Sequence, residues 1–212
     1  MKATHDWRVV YPTSFLSCSH AIRSVILVRS SMETNCWVQI SVPGTEDMAA
    51  IQIGASLGKV ILFGLYIDCH HSNTLCLLND YLTMHKTITG SGPSNHSFWC
   101  GDFNCHHLLW DYECNRHLFT AAVLRESELL LGLVADYGMV MVLPRDIPTL
   151  EAMTMKNWTQ PDNVFCTEHS EPLIISCTTD PHLRGPGTYH VIILTILEFP
   201  VDSVPASPTH NF

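Results

Sequence analysis

Gly101-Asp102-Phe103-Asn104 close the apolar run Ser97-Phe98-Trp99-Cys100 with an acid and an amide two residues apart. A strand that ends this way projects both side chains from one face of its pleat, at the edge of a sheet. Asp102 there can deprotonate an attacking water. Asn104 can hold that water, or donate to a phosphate oxygen whose negative charge grows in the transition state. A bare Asp-x-Asn is more often a turn that punctuates a strand, and the full tetrapeptide is more specific than that. A second acid stands in Pro161-Asp162-Asn163-Val164-Phe165, at the mouth of a strand, and a histidine in Tyr189-His190-Val191-Ile192, at the mouth of the last one. If those two strands are neighbours, Asp162 accepts a hydrogen bond from one ring nitrogen of His190, which fixes the tautomer and leaves the other nitrogen to face a phosphate. Taken alone, His190 reads as a strand-end residue satisfied by backbone.

These side chains need elements to carry them. The spacing of apolar and turn residues predicts strands over Ala21 to Val28, Cys36 to Val42, Met48 to Ala55, Lys59 to Ile67 and Phe98 to Asn104, as antiparallel neighbours separated by Pro43-Gly44 and Leu57-Gly58. Leu75, Leu78 and Leu82 recur at helical spacing between Thr74 and Met84, with Asn73 or Thr74 as the cap. A longer helix is predicted from Phe119 to Tyr137, with Leu124, Leu129, Leu130, Leu133 and Val134 inward and Gly138 as a left-handed stop. Strands follow over Met139 to Leu143, Asp162 to Cys166, Leu173 to Cys177 and His190 to Phe199. The pattern predicts an α+β sandwich of two mainly antiparallel sheets packed face to face with helices outside. One domain over residues 1–199 is expected, and the Pro, Ser and Thr of residues 200–212 predict a disordered tail.

Composition narrows the function classes. Lys and Arg total 11 against 20 acids among 212 residues, a formal charge of -9, so the surface as a whole is not one for strong nonspecific nucleic-acid binding. The longest apolar run, Val191 to Leu197, is interrupted by Thr195 and too short for a membrane span or an export signal. An intracellular protein of nucleus or cytoplasm is expected, neither secreted nor membrane-bound. Nine cysteines, an odd count, read as reduced thiols. Cys100, Cys105, His106, His107, Cys114 and His117, or Cys69-His70-His71, hold zinc-type donors at spacings that match no paired-knuckle pattern. There is no Gly-x-Ser-x-Gly elbow and no phosphate-binding glycine loop before a helix.

The ordered set of Trp7-Arg8-Val9-Val10-Tyr11-Pro12, Arg23-Ser24-Val25-Ile26-Leu27, Leu65-Tyr66-Ile67-Asp68-Cys69, Gly101-Asp102-Phe103-Asn104 with His106-His107 and Trp110-Asp111, Trp158 to Phe165, and Thr188-Tyr189-His190 resembles the endonuclease/exonuclease/phosphatase superfamily. The resemblance is strongest to the endonuclease domain of LINE-type non-LTR retrotransposons. It implies a four-layer sandwich and metal-dependent hydrolysis of a DNA phosphodiester, with Mg²⁺ or Mn²⁺ as cofactor and DNA as partner. Carried over by position, Asp102 is the water-activating acid, Asn104 the phosphate-positioning amide, Tyr66 a phosphate-contacting phenol, Asp162 the acid that orients the histidine, and His190 the stabiliser of the transition state. Asp102 and Asn104 are also the implied metal-side residues.

Two departures accompany the match. The family's opening strand, helix and strand, which ends in a metal-binding Glu, lies upstream of the segment that resembles Trp7 to Pro12, so the fold is expected to lack its first strand-helix-strand unit. Tyr189 stands where the family has an Asp before the catalytic His, and Ile192 where it has a Pro. A neutral phenol does not replace that charge, and Mg²⁺ depends on hard oxygen ligands. The resemblance therefore implies an activity weakened or lost, and self-association through an uncovered sheet edge. Its rivals are a noncatalytic interaction module on the same fold and a small-molecule phosphoesterase.

Overall fold

The computed structural model describes residues 6–16, 21–55, 58–68, 72–86, 92, 94–151 and 157–198. Its centre is a six-stranded sheet built from β3 (Trp37–Ile40), β4 (Met48–Ala55), β5 (Gly58–Tyr66), β6 (Asn95–Asp102), β10 (Asp162–Thr167) and β7 (Met139–Met141), in the spatial order β3-β4-β5-β6-β10-β7. Successive residues of these strands alternate between two buried faces. Ile61, Phe63, Leu65, Trp99 and Phe165 point to one face, where helix α1 (Asn73–Met84) lays down Leu75, Leu78 and Leu82 and helix α2 (Ala121–Asp136) lays down Leu130 and Leu133. Val60, Phe98 and Cys166 point to the other.

That second face is covered by two separate antiparallel ribbons. β1 (Trp7–Val10) pairs with β2 (Ile26–Arg29), and Val10, Ile26 and Val28 pack on Ala49 and Ile51 of β4. β11 (Ile174–Asp180) pairs with β12 (Ile192–Leu197), and Ile174 and Leu197 pack beside Val60, Phe98 and Cys166. A short pair, β8 (Leu150–Glu151) with β9 (Trp158–Thr159), stands next to them, and Leu150 forms an isolated bridge with His190. The fold is α+β, and the described residues supply three layers: helices, the central sheet and the ribbons.

β4 spans the predicted residues, and β5 and α1 lie within one residue of theirs. Three expectations are corrected. β5 and β6 run parallel, not antiparallel, because α1 between them is a crossover helix that brings the chain back to the same end of the sheet. α2 begins at Ala121 rather than Phe119, since Thr120 Oγ1 accepts the Val123 N–H and caps it there. In α1, Thr74 is not a cap: its hydroxyl donates to Asp47 Oδ2 at 3.1 Å. Gly138 does follow α2 in the left-handed region, at φ 58°. Among the described residues no helix is long and apolar enough to cross a membrane. Residues 200–212, read from sequence as a tail, lie outside the described residues.

Candidate active site

Three strands end side by side and deliver three of the candidate side chains in one row. Tyr66 closes β5 opposite Asp102 in the parallel register, and Asp162 opens β10 opposite Asp102 in the antiparallel one. Cross-strand partners share a face, and for these three it is the face covered by the ribbons. The ladder continues past the strands, with Ile67 N–H donating to Asp102 O at 2.8 Å and Phe103 N–H to Pro161 O at 3.1 Å.

The four-residue motif has a steric reason at each position. Gly101 has φ 151°, and a Cβ there would lie 1.9 Å from Leu65 O, so no side chain fits between the parallel strands. Phe103 is fully buried, with its ring edge-on to Phe165 at 5.1 Å, and pins the turn from beneath. Asn104 departs from the sequence reading. β6 stops at Asp102, and Asn104 adopts φ 47°, so the two side chains are not related by a pleat. They are joined by an Asx turn in which Asp102 Oδ1 accepts the Asn104 N–H at 3.0 Å. Asn104 Nδ2 donates to Ile67 O at 2.9 Å, which orients the amide and leaves its Oδ1 as an acceptor.

His190 also arrives by a different route from the one expected. β12 begins at Ile192 and pairs with β11, not β10. The histidine lies in the approach to that ribbon and reaches Asp162 across the layers. Its Nδ1 is 2.9 Å from Asp162 Oδ2 and 3.2 Å from Oδ1. Thr188 Oγ1 accepts the His190 backbone N–H at 3.1 Å, and Val191 N–H donates to Thr149 O at 2.7 Å. With Nδ1 bound to the carboxylate, Nε2 is directed elsewhere. Tyr189, beside it, is 41 % exposed and lies under the Arg184 guanidinium at 5.8 Å from the ring centre.

Ligand atoms of Asp102, Asp162 and His190 all lie within 4.8 Å of one another. Burial pushes the Asp102 carboxyl up to about 6, and the neighbouring Asp162 charge adds to the rise against the hydrogen bonds from Asn104 and the charge of His190. The Asp162 hydrogen bond raises His190 above the ordinary imidazole value, against burial. Two adjacent carboxylates are hard, anionic donors of the kind a divalent cation takes. Asp102, Asp162 and His190 are thus a group of acid and imidazole donors that could hold a metal ion.

The thiol and imidazole residues do not form a second one. Among the described residues Cys100, Cys105, His106, His107, Cys114 and His117 make no group of three donors around a point, and burial pushes the Cys100 and Cys105 thiols up to about 12, unlike the thiolates that zinc requires. Cys69-His70-His71 lie outside the described residues. Trp110-Asp111, which the sequence marks as an anchor of its loop, is buried, and sequence reasoning missed the partners of Asp111: it accepts the Gln160 N–H at 2.7 Å and holds His106 Nδ1 at 3.1 Å. Trp110 Nε1 donates to Cys105 O in the same loop. Arg23 was also missed. It forms a two-pronged ion pair with Asp47 at 2.7 Å, a second one with Asp68, and lies 4.7 Å from the Tyr66 ring centre.

No family model and no curated protein matches this chain. Solved structures do. The endonuclease domain of TRAS1, a telomere-specific non-LTR retrotransposon, superposes with a TM-score of 0.70 at 17% identity, over 92% of this chain and 81% of that one. An AP endonuclease from Archaeoglobus fulgidus matches with a TM-score of 0.61 at 16% identity, over 91% of this chain and 80% of its own. A 3′ phosphatase, NExo, from Neisseria, bound to product DNA hairpin, matches with a TM-score of 0.62 at 11% identity, over 91% and 79%. At these identities the likeness is one of fold: the chain has the fold of the endonuclease/exonuclease/phosphatase proteins, and the neighbours that share it are nucleases and a phosphatase.

Proposed function

We propose that this protein is a metal-dependent phosphodiesterase that acts on DNA, an endonuclease of the non-LTR retrotransposon kind, with an activity weakened by Tyr189. The observation that carries the reading is the row Tyr66, Asp102, Asp162 at three adjoining strand ends, completed by His190 at 2.9 Å from Asp162.

Each residue has a task that its environment supports. Asp102, with a carboxyl near 6 before a cation binds, is ionised at neutral pH and takes a proton from water as the new P–O bond forms. The hydrogen bond that Nδ1 donates to Asp162 favours the imidazolium form of His190, and in that form Nε2 donates a hydrogen bond to a non-bridging phosphate oxygen, where charge accumulates. The Tyr66 hydroxyl donates to another such oxygen, and the Asn104 amide fixes the side on which water stands. The P–O bond to the departing nucleoside breaks opposite the attack, and its oxygen takes a proton from solvent. Mg²⁺ or Mn²⁺, held by Asp102 and Asn104 Oδ1, would polarise the phosphate and offset the repulsion between the two acids.

The test is nicking of supercoiled plasmid by the whole chain with Mg²⁺ or Mn²⁺, beside EDTA and Asp102→Asn controls. Nicking that both controls abolish is the expected result. Folded protein that leaves the plasmid intact overturns the reading in favour of a noncatalytic module on this fold. The phosphatase among the structural neighbours favours one second substrate class, so a DNA 3′-phosphate and soluble phosphate esters belong in the same assay. Faster release of phosphate than of nicks would assign the site to monoesters.

A further inference from the structure

Arg23 lies in the lead-in to β2, in a different layer from Tyr66, and nothing in the hydrolytic reading uses it. Its Nε and Nη2 donate to the two oxygens of Asp47 at 2.7 Å each, and its Nη1 donates to Asp68. Asp47 is itself buried and further fixed by hydrogen bonds from Thr74 Oγ1 and from its own N–H to Thr45 Oγ1. The same residue's carbonyl accepts the Tyr66 N–H at 2.9 Å. The guanidinium is thereby held from two sides, and its Cζ lies over the Tyr66 ring, 4.7 Å from its centre. An ion pair alone would have been satisfied with Arg23 turned anywhere around Asp47. Two carboxylates in different places, Asp47 before β4 and Asp68 after β5, leave the cation over the phenol as the arrangement that meets both.

We propose that Arg23 is a positioning residue for Tyr66: a flat cation clamped by Asp47 and Asp68 that covers one face of the phenol and holds its hydroxyl at the phosphate end of the sheet. The inference rests on the hydrolytic reading insofar as Tyr66 meets substrate. The β1-β2 ribbon then does more than cover the sheet, because its lead-in sets the direction of a side chain in the Asp102 row. Lysine would keep the charge but neither the two-pronged pair nor the planar group over the ring.

The experiment combines a double-mutant cycle with a spectroscopic readout. Arg23→Lys, Tyr66→Phe and the pair are compared in plasmid nicking, and the ring signals of Tyr66, assigned by their loss in Tyr66→Phe, are followed by NMR in protein carrying labelled tyrosine. Arg23→Lys is expected to shift the Tyr66 signals and to lower kcat/KM about tenfold, with less than a twofold further loss when Tyr66 is already Phe. An equal loss in both backgrounds, or unmoved Tyr66 signals, overturns the proposal and leaves Arg23 a structural clamp. If the wild-type chain does not nick DNA, the hydrolytic reading fails while the ring signals still decide whether Arg23 positions Tyr66. Should Arg23→Lys not fold, Asp68→Asn loosens one of the two anchors, and the same signals are read for the same shift.

Discussion

Asp162 meets His190 at 2.9 Å and Asp111 meets His106 at 3.1 Å, two carboxylate–imidazole pairs of nearly one length in the same molecule. Their surroundings differ. Asp111 is fully buried, and its other oxygen is taken by the Gln160 N–H, so its valences are filled by backbone and ring alone. Asp162 stands beside a second carboxylate, Asp102, at a strand end that solvent reaches, with the His190 ring 41 % exposed. The first pair closes a loop. The second leaves charge uncompensated where a substrate or a cation can meet it, and that surplus, not the Asp–His contact, marks the site.

Substituting both histidines breaks the comparison most strongly. His190→Gln is expected to lower plasmid nicking by about a thousandfold, whereas His106→Gln should change it by less than about threefold, with both read as initial rates at saturating Mg²⁺. Comparable losses would make the two pairs functionally alike.

The next effect is on stability and runs the other way. Asp111→Ala leaves the Gln160 N–H buried and unpaired, so it should cost about 2–3 kcal/mol in urea unfolding. Asp162→Ala should cost less, because it also removes the repulsion on Asp102.

The smallest effect sharpens the electrostatic half. Asp102 has its carboxyl raised to about 6 from the ordinary 3.8, so the folded protein holds a proton there that the unfolded chain has lost. Stability from this group is therefore complete below about pH 4 and falls as pH rises through about 6. Asp102→Asn should abolish that fall and raise stability at pH 8 by about 1–2 kcal/mol, with no gain at pH 3.5. Millimolar Mg²⁺ should narrow the gap between the two proteins at pH 8. His190, whose pKa is raised, adds stability that is present below its unfolded value and is lost as pH climbs through its folded one, so this second decline persists in Asp102→Asn. A chemical-denaturation series against pH distinguishes the two.

Much of the central sheet was legible because its strands are apolar runs closed by glycine or by the acid itself, as at Met48–Ala55 and at Asp102. Strand direction was not, since a period of two is the same for parallel and antiparallel pairs; the helix-period leucines between β5 and β6 held the missing information. The Gly-Asp-Phe-Asn motif was legible as chemistry, but its turn was not, because the left-handed Asn104 breaks the alternation on which the same-face argument stood. The Asp162–His190 contact is made between layers and not between neighbouring strands of one sheet, so strand order alone does not reveal it. Arg23 and Asp47 are 24 positions apart with nothing local to link them. Such pairings are fixed by how the ribbons settle on the sheet, which no window of sequence contains.

The register of β6 against β10 also sets an order of events during synthesis. Asp102 emerges from the ribosome about 60 residues before Asp162, Tyr66 earlier than that, and His190 last. At roughly 5–20 residues per second, the nascent chain spends about 3–12 s with one side of β6 unpaired and Asp102 facing water alone. In that interval its carboxyl lacks the neighbour that helps to raise it. A nascent chain arrested before residue 162 should thus be inert toward DNA, and the strand that brings Asp162 beside Asp102 is also the one that pairs the free side of β6.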